Sequence, residues 1–96
     1  MTEKESAGRD EQVIREILQH LIDYPDAKDT MEGIYKWWLP EGHTWRRGEV
    51  QKALAFLALK GWLIKRAIVP NKEVYGINKG QLEEIRNFVL QSGDSN

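Results

Sequence analysis

The stretch that decides the fold is residues 44–78, which read T-W-R-R-G-E-V-Q-K-A-L-A-F-L-A-L-K-G-W-L-I-K-R-A-I-V-P-N-K-E-V-Y-G-I-N. Its first half places apolar residues at the i, i+3, i+4, i+7 spacing of one helix face, namely Val50, Ala53, Leu54 and Leu57. Gly61 follows this stripe, and glycine accepts the left-handed conformation in which helices often end. The pattern therefore predicts a helix over 45–60 that stops at Gly61.

The second half of the stretch predicts a β-hairpin. Leu63–Val69 is rich in β-branched and large apolar residues, which favour strands. Residues 70–73, Pro-Asn-Lys-Glu, are typical of a turn, and residues 74–78 are strand-like again. We therefore expect two antiparallel strands joined by a turn at 70–73.

Three further helices are predicted around this stretch. Apolar residues recur with helical period over 11–23, 30–39 and 80–91. Gly33 lowers the helix propensity of the second of these by about 1 kcal/mol relative to alanine, and we attribute it to a close crossing with another helix. A further small strand, either between the first two helices or near residues 42–44, would be too short to identify from its pattern.

The whole chain is predicted to form one domain, mostly α with a small β-hairpin, in the order helix–helix–helix–strand–strand–helix. Its 96 residues are enough for one small core. Residues 1–9 are polar without periodicity and are predicted to be a disordered lead-in, and residues 92–96 a disordered tail. The domain itself would cover 10–91.

The stretch 44–78 resembles the recognition helix and wing of winged-helix (winged helix-turn-helix) domains. The resemblance lies in Val50, Ala53-Leu54, Leu57, Gly61-Trp62-Leu63 and Lys65-Arg66, and with the flanking helices it covers about 10–91. It implies that the third helix is presented to DNA and that the hairpin is the wing. Because this fold serves both DNA binding and protein assembly, the function has to be argued from the surface.

Positive charge is concentrated in the same segment. The net charge is −1, but residues 43–80 carry eight Lys or Arg against two Glu, whereas residues 1–42 carry five against ten Asp or Glu. A local excess of basic residues is a physical argument about partners, and here it favours a polyanion at the third helix and hairpin. Double-stranded DNA is the partner that the resemblance implies.

The residues predicted to contact DNA lie at the front of the third helix and on the hairpin. Arginine and glutamine read guanine and adenine edges bidentately, and lysine suits phosphate. The predicted contacts are Arg46, Arg47, Gln51, Lys52, Lys65, Arg66, Asn71 and Lys72. The alternative is that these are solvated surface residues. Glu49 departs from the pattern, because a carboxylate that faced the groove would repel phosphate.

A second candidate surface is apolar. Trp45, Phe56 and Leu59 lie roughly opposite the buried stripe if the helical period extends through all of them. They are either covered by the hairpin and last helix or form an interface with a second copy or another protein. Trp37 joins this set of predicted interface residues, because the neighbouring Trp37 and Trp38 cannot both face the core.

Several function classes find no support in the sequence. The chain has no cysteine for a disulfide or thiolate site, which fits a reducing cytoplasm, and no apolar core of a signal peptide. It contains no phosphate-cradling glycine loop, dinucleotide fingerprint or nucleophile elbow. His20 with Glu16 and Asp23 has metal-ligand spacing but lacks a fourth ligand. We expect no enzyme activity, no cofactor and no metal.

The leading hypothesis is therefore a cytoplasmic winged-helix DNA-binding protein that acts as a dimeric transcriptional regulator. A dimer is expected because one small module makes few phosphate contacts. The alternative is a winged-helix protein-interaction module that does not bind DNA. Two features support it, namely Glu49 and the apolar side of the third helix.

Overall fold

The computed structural model describes residues 2–70 and 72–93, with seven main elements in this part of the chain. They are α1 (Thr2–Asp23), β1 (Lys28–Asp29), α2 (Met31–Gly33), α3 (Arg47–Lys60), β2 (Leu63–Val69), β3 (Lys72–Ile77) and α4 (Leu82–Gly93). A π-helical segment (Ile34–Trp38) continues α2, and a short 3₁₀ turn (Lys79–Gln81) precedes α4. The chain is thus mostly helical with a small antiparallel sheet, which confirms the predicted class.

The sheet has three strands in the order β1–β3–β2, and both outer strands pair antiparallel with β3. β1 lies between the first two helices, one of the two places left open by the sequence, and its two residues are too few to show an alternating pattern.

The hairpin turn is tighter than predicted. Val69 pairs with Lys72 after a bulge at 67–69, so Lys72 and Glu73 belong to β3 and two residues separate the paired strands. A two-residue connection is the commonest hairpin turn because its twist matches that of the strands. Asn71 itself lies outside the described residues.

The helix ends differ from the predictions. α1 begins at Thr2, so helical backbone takes the place of most of the predicted disordered lead-in, whose first residue lies outside the described part. The composition there includes Glu, Lys and Ala, which extend a helix at little cost once the amphipathic part has formed. α4 reaches Gly93 instead of 91, so two residues of the predicted tail are helical, and residues 94–96 are not described.

The predicted helix over 30–39 consists of one α-helical turn and the π segment. Gly33 lies where they join, and a Cβ there would come 2.1 Å from Oδ1 of Asp29. The group that crowds this position is the Asp29 side chain, which would have to move to admit a Cβ, so the predicted close crossing with another helix is wrong as the explanation of Gly33. The adjacent Thr30 hydroxyl caps the turn by accepting from the Gly33 N–H at 3.2 Å.

The end of α3 at Gly61 is confirmed. Gly61 has φ of 88°, its N–H donates to the Ala58 carbonyl at 3.1 Å, and the Trp62 N–H donates to the Leu57 carbonyl at 3.0 Å. These two bonds form a Schellman motif. The Asn78 amide then donates to the Gly61 carbonyl at 2.8 Å, so the end of β3 is tied to the end of α3.

The core lies where α1 packs against α3 and α4. The predicted stripe of α3 is buried, with Val50, Leu54 and Leu57 at 0% exposure. Trp38 is buried and Trp37 is 76% exposed, as expected for neighbours on a helix. No helix in the described part of the chain has the length and apolar character needed to cross a membrane.

Candidate functional site

The predicted basic residues at the start of α3 are all on the surface. Arg46 occupies the N-cap position of α3 and Arg47 is the first residue of the helix, and both are exposed, as are Gln51 and Lys52 one turn further on. Gly48, also exposed, lies among them. A small residue there leaves the backbone of the first turn accessible to a large partner.

Glu49, the residue that departed from the predicted pattern, is neutralised from within the molecule. Its Oε2 accepts from Nε of Arg9 at 2.5 Å and its Oε1 accepts from the Arg46 N–H at 2.8 Å. The Arg9 guanidinium, helped by the Arg46 N–H, lowers the pKa of Glu49 to about 2. The carboxylate therefore holds the start of α3 against α1. The sequence gives no sign of this pair, because its members are 40 residues apart.

Arg47 differs from Arg46 in its surroundings. Its guanidinium forms an ion pair with Glu32 and lies 5.2 Å from the centre of the Tyr35 ring. Within the part of the chain that the structure describes, the side chains of Arg46 and Lys52 form no ion pair. These two cations are accordingly the ones most available to an anionic partner, whereas Arg47 would have to leave Glu32.

The basic residues of the hairpin are exposed but do not share one face. Lys65 and Arg66 are consecutive in β2, so their side chains point to opposite faces of the sheet. The Lys65 ammonium lies 3.7 Å from the Glu73 carboxylate on β3. Arg66 instead lines a shallow groove on the outer face of the sheet with Lys28 and Lys79. The prediction that Lys65 and Arg66 contact the same ligand therefore holds only if that ligand wraps around the β2 edge. Lys72, at the start of β3, is exposed near the turn.

The prediction that Trp45 belongs to a partner interface is wrong. Its side chain is buried, with 8% exposure, and its Nε1–H donates to Oε1 of Glu16 at 2.8 Å. The Arg9 guanidinium covers the ring at 4.5 Å from its centre. Trp45 precedes an extended residue, Arg46, and so lies outside α3, where the helical period that placed it on the exposed side no longer applies.

Phe56 and Leu59 are exposed, at 49% and 89%, so neither the hairpin nor α4 covers them. Phe56 lines an apolar groove of about 220 Å³ between α1 and α3. We call this the α1–α3 groove; Val13, Ile14, Ala53 and Phe56 form its apolar lining, and Asp10, Glu49 and Lys52 also line it.

Trp37, the remaining predicted interface residue, projects from the π segment beside a surface depression that includes Pro40 and His43. The His43 ring joins this segment to the residue that precedes the N-cap of α3, because Nε2 lies 2.8 Å from the Tyr35 carbonyl and Nδ1 accepts from the Trp45 N–H at 3.0 Å. Both ring nitrogens are thus used in the fold, which gives His43 a structural role.

His20 and Glu16, two of the three residues with metal-ligand spacing in the sequence, make other contacts in the structure. The His20 ring stacks on Trp38 with ring centres 4.6 Å apart, and burial lowers the pKa of His20. Glu16 accepts the Trp45 indole bond. Among the described residues no three His, Cys, Asp or Glu are grouped so that they could hold a metal ion.

Comparison with known proteins found no matching family model, no matching curated protein and no matching solved structure.

Proposed function

We propose that this chain is a winged-helix DNA-binding domain that acts in transcription regulation. The element order, with one short strand after α1 and a hairpin after α3, supports the proposal, as does the sheet order β1–β3–β2. In this arrangement α3 is the recognition helix, and the β2–β3 hairpin is the wing beside it.

The observation that carries the proposal is the exposed, uncompensated positive charge at the front of α3. Arg46 and Lys52 are exposed without an ion pair among the described residues, and Gln51 lies between them. The one carboxylate of this turn, Glu49, is already neutralised by Arg9. An anionic duplex would therefore meet cations and a neutral amide, with no free carboxylate in this turn to repel it.

Each residue then has a distinct role. Arg46 and Gln51 suit base edges in the major groove, and Lys52 suits a phosphate. Arg47 contacts the backbone after exchanging Glu32 for a phosphate oxygen. On the hairpin, Lys72 near the turn, together with Asn71, approaches the neighbouring backbone, and Lys65 or Arg66 adds a contact according to which face of the sheet meets the DNA.

The test is binding to generic double-stranded DNA at two salt concentrations, followed by tryptophan fluorescence or gel shift. We expect binding that weakens steeply with salt, and a loss of about tenfold or more for Arg46→Ala combined with Lys52→Ala. Arg47 is left in place because its removal would also free Glu32. Arg86→Ala, which removes an exposed arginine on α4, is the control for the loss of a surface cation elsewhere on the protein.

Equal binding by the wild type and the Arg46/Lys52 double variant would remove α3 from the proposed site. Absence of binding even at low salt would overturn the DNA proposal as a whole. It would favour the second candidate function, a winged-helix protein-interaction module. The observation behind that candidate is the exposure of Trp37 and Leu59, two large apolar side chains of the type found in protein interfaces.

A further inference from the structure

Lys52 has a carboxylate close to it on the same helix, yet the two residues form no ion pair. Glu49 precedes Lys52 by three residues in α3, and side chains at this spacing are neighbours on a helix surface. Both residues also line the α1–α3 groove. Among the ion pairs of the described residues, Glu49 pairs with Arg9 and none includes Lys52. The other contacts of Glu49 explain why.

Both carboxylate oxygens of Glu49 already accept hydrogen bonds from other groups. Oε2 accepts from Nε of Arg9 at 2.5 Å, and Oε1 accepts from Nη2 of Arg9 at 3.1 Å and from the Arg46 N–H at 2.8 Å. A guanidinium that contacts both oxygens in parallel matches a carboxylate better than a lysine ammonium does. Glu49 therefore gains little by turning from Arg9 towards Lys52.

We propose that Arg9 is a positioning residue for DNA binding, which holds Glu49 so that the Lys52 ammonium stays free for a phosphate. This role rests on the proposed function, in which Lys52 contacts the DNA backbone. Without Arg9, the carboxylate of Glu49 would still be ionised at neutral pH, because its ordinary pKa is 4.5. It would then pair with Lys52 and compete with the phosphate for the ammonium group.

The buried Trp45 helps to keep Arg9 in this position. The Arg9 guanidinium lies 4.5 Å from the centre of the Trp45 ring, and the indole N–H of that ring is itself bonded to Glu16. Exposed ion pairs usually contribute little to stability unless their geometry is bidentate. Here the geometry is bidentate and the guanidinium stacks on a fixed aromatic face, so the pair with Glu49 persists at the surface.

The first test needs no DNA, so its failure and the failure of the proposed function are distinguishable. NMR follows the side-chain signals of Lys52 in wild type and in Arg9→Met as the pH is lowered. Methionine keeps an unbranched side chain over Trp45 but has neither a charge nor a donor. In Arg9→Met we expect the Lys52 signals to shift as Glu49 titrates, with its pKa raised from about 2 towards 4.5.

The double variant Arg9→Met/Glu49→Gln identifies the carboxylate that Lys52 senses. Asp10 also lines the groove and is present in all three proteins, so a shift caused by Asp10 would remain in the double variant. We expect the shift between about pH 3 and 6 to be large only in Arg9→Met. Lys52 signals that respond equally in wild type and in Arg9→Met overturn the proposal.

The second test is the affinity of these proteins for double-stranded DNA at low salt, with the fold of each checked by chemical denaturation. Arg9→Met should weaken binding about three- to tenfold. Arg86→Met, the same substitution of an exposed arginine on α4, should weaken it by less than about twofold. Arg9→Met/Glu49→Gln has the net charge of the wild type and no carboxylate at position 49, so its affinity should return to within about twofold of the wild type.

Two results with DNA overturn the proposal. One is equal binding by wild type and Arg9→Met. The other is a double variant that binds as weakly as Arg9→Met, because Arg9 would then contact DNA itself or act only through its packing on Trp45. A wild type that binds no DNA overturns the proposed function and the role of Arg9 in it, whereas the NMR comparison still decides whether Arg9 controls the pairing of Lys52.

Discussion

Glu49 lies in the first turn of α3. In the sequence it is a carboxylate inside a basic segment and argues against a polyanion. In the structure it accepts from the Arg46 N–H and from Arg9, which is the position of a helix-capping acid in the first turn of α3. Its negative charge stabilises the helix start and is no longer available to repel a ligand.

The pH dependence of stability follows from this residue. The pKa of Glu49 is about 2, below its ordinary value of 4.5, because Arg9 and the Arg46 N–H stabilise the charged form. A lowered pKa in the folded state gives stability that is present above pH 4.5 and is lost as the pH falls towards 2. We expect Glu49→Gln to lower the free energy of unfolding at neutral pH and to converge with the wild type near pH 2.

Urea denaturation at a series of pH values measures this difference. Glu41→Gln, at an exposed loop position, serves as the control and should follow the wild type throughout. A constant gap between Glu49→Gln and the wild type down to pH 2 would mean that the effect comes from lost packing rather than from the ion pair.

Prediction at the residue scale succeeded where the helical period applies. Val50 and Leu57 are buried as predicted, because both lie inside α3, and the structure decides between the two alternatives for Leu59, which is exposed. Trp45 was placed wrongly because it lies just before the helix. The Arg9–Glu49 and Trp45–Glu16 contacts could not be predicted, since they depend on how α1 crosses α3, and a local pattern contains no such information.

At the scale of elements, the turn from α2 into the π segment departs from a regular α-helix. A π turn contains more residues than an α turn and often marks a site under a specific constraint. Here the constraint is visible, because Asp29 occupies the space beside Gly33 while its Oδ1 accepts from the Thr30 N–H at 2.8 Å.

Gly33→Ala should therefore destabilise the protein by about 1–3 kcal/mol, although alanine is the better helix former. In an Asp29→Ala background the obstacle is gone, and the same substitution should be neutral or stabilising by up to about 1 kcal/mol. Chemical denaturation of the four proteins of this double-mutant cycle measures the coupling. Equal costs in both backgrounds would show that Asp29 moves aside readily and that glycine is needed for another reason.

The elements themselves were predictable in proportion to their length and regularity. α3 and the hairpin follow from the change of hydrophobic period at Gly61. β1 has two residues, and its identity depends on pairing with β3, which lies more than 40 residues away along the chain. The helical start of α1 was missed because its polar residues show no amphipathic period, although several of them favour a helix.

At the scale of the whole molecule, the salt dependence of DNA binding reports how many phosphates the protein neutralises. Each phosphate contact contributes about 0.9 to the slope of log affinity against log salt concentration. Arg46→Ala combined with Lys52→Ala should therefore reduce this slope by about one to two.

Titrations of DNA with wild type, the Arg46/Lys52 double variant and the Arg86→Ala control at several salt concentrations measure these slopes. If the double variant keeps the slope of the wild type, neither of its two side chains neutralises a phosphate.

The side-chain amide of Asn78 connects α3, β3 and the turn into α4. It donates to the Gly61 carbonyl, and its oxygen accepts from the Gly80 N–H at 3.1 Å, so one side chain fixes the end of α3, the end of β3 and the start of the turn into α4. The angle between α3 and the hairpin is thereby set within the protein. In the proposed complex, α3 and the hairpin would then contact DNA at a fixed separation. The protein would favour duplexes whose groove width already matches this separation and bind less tightly to duplexes that must be deformed.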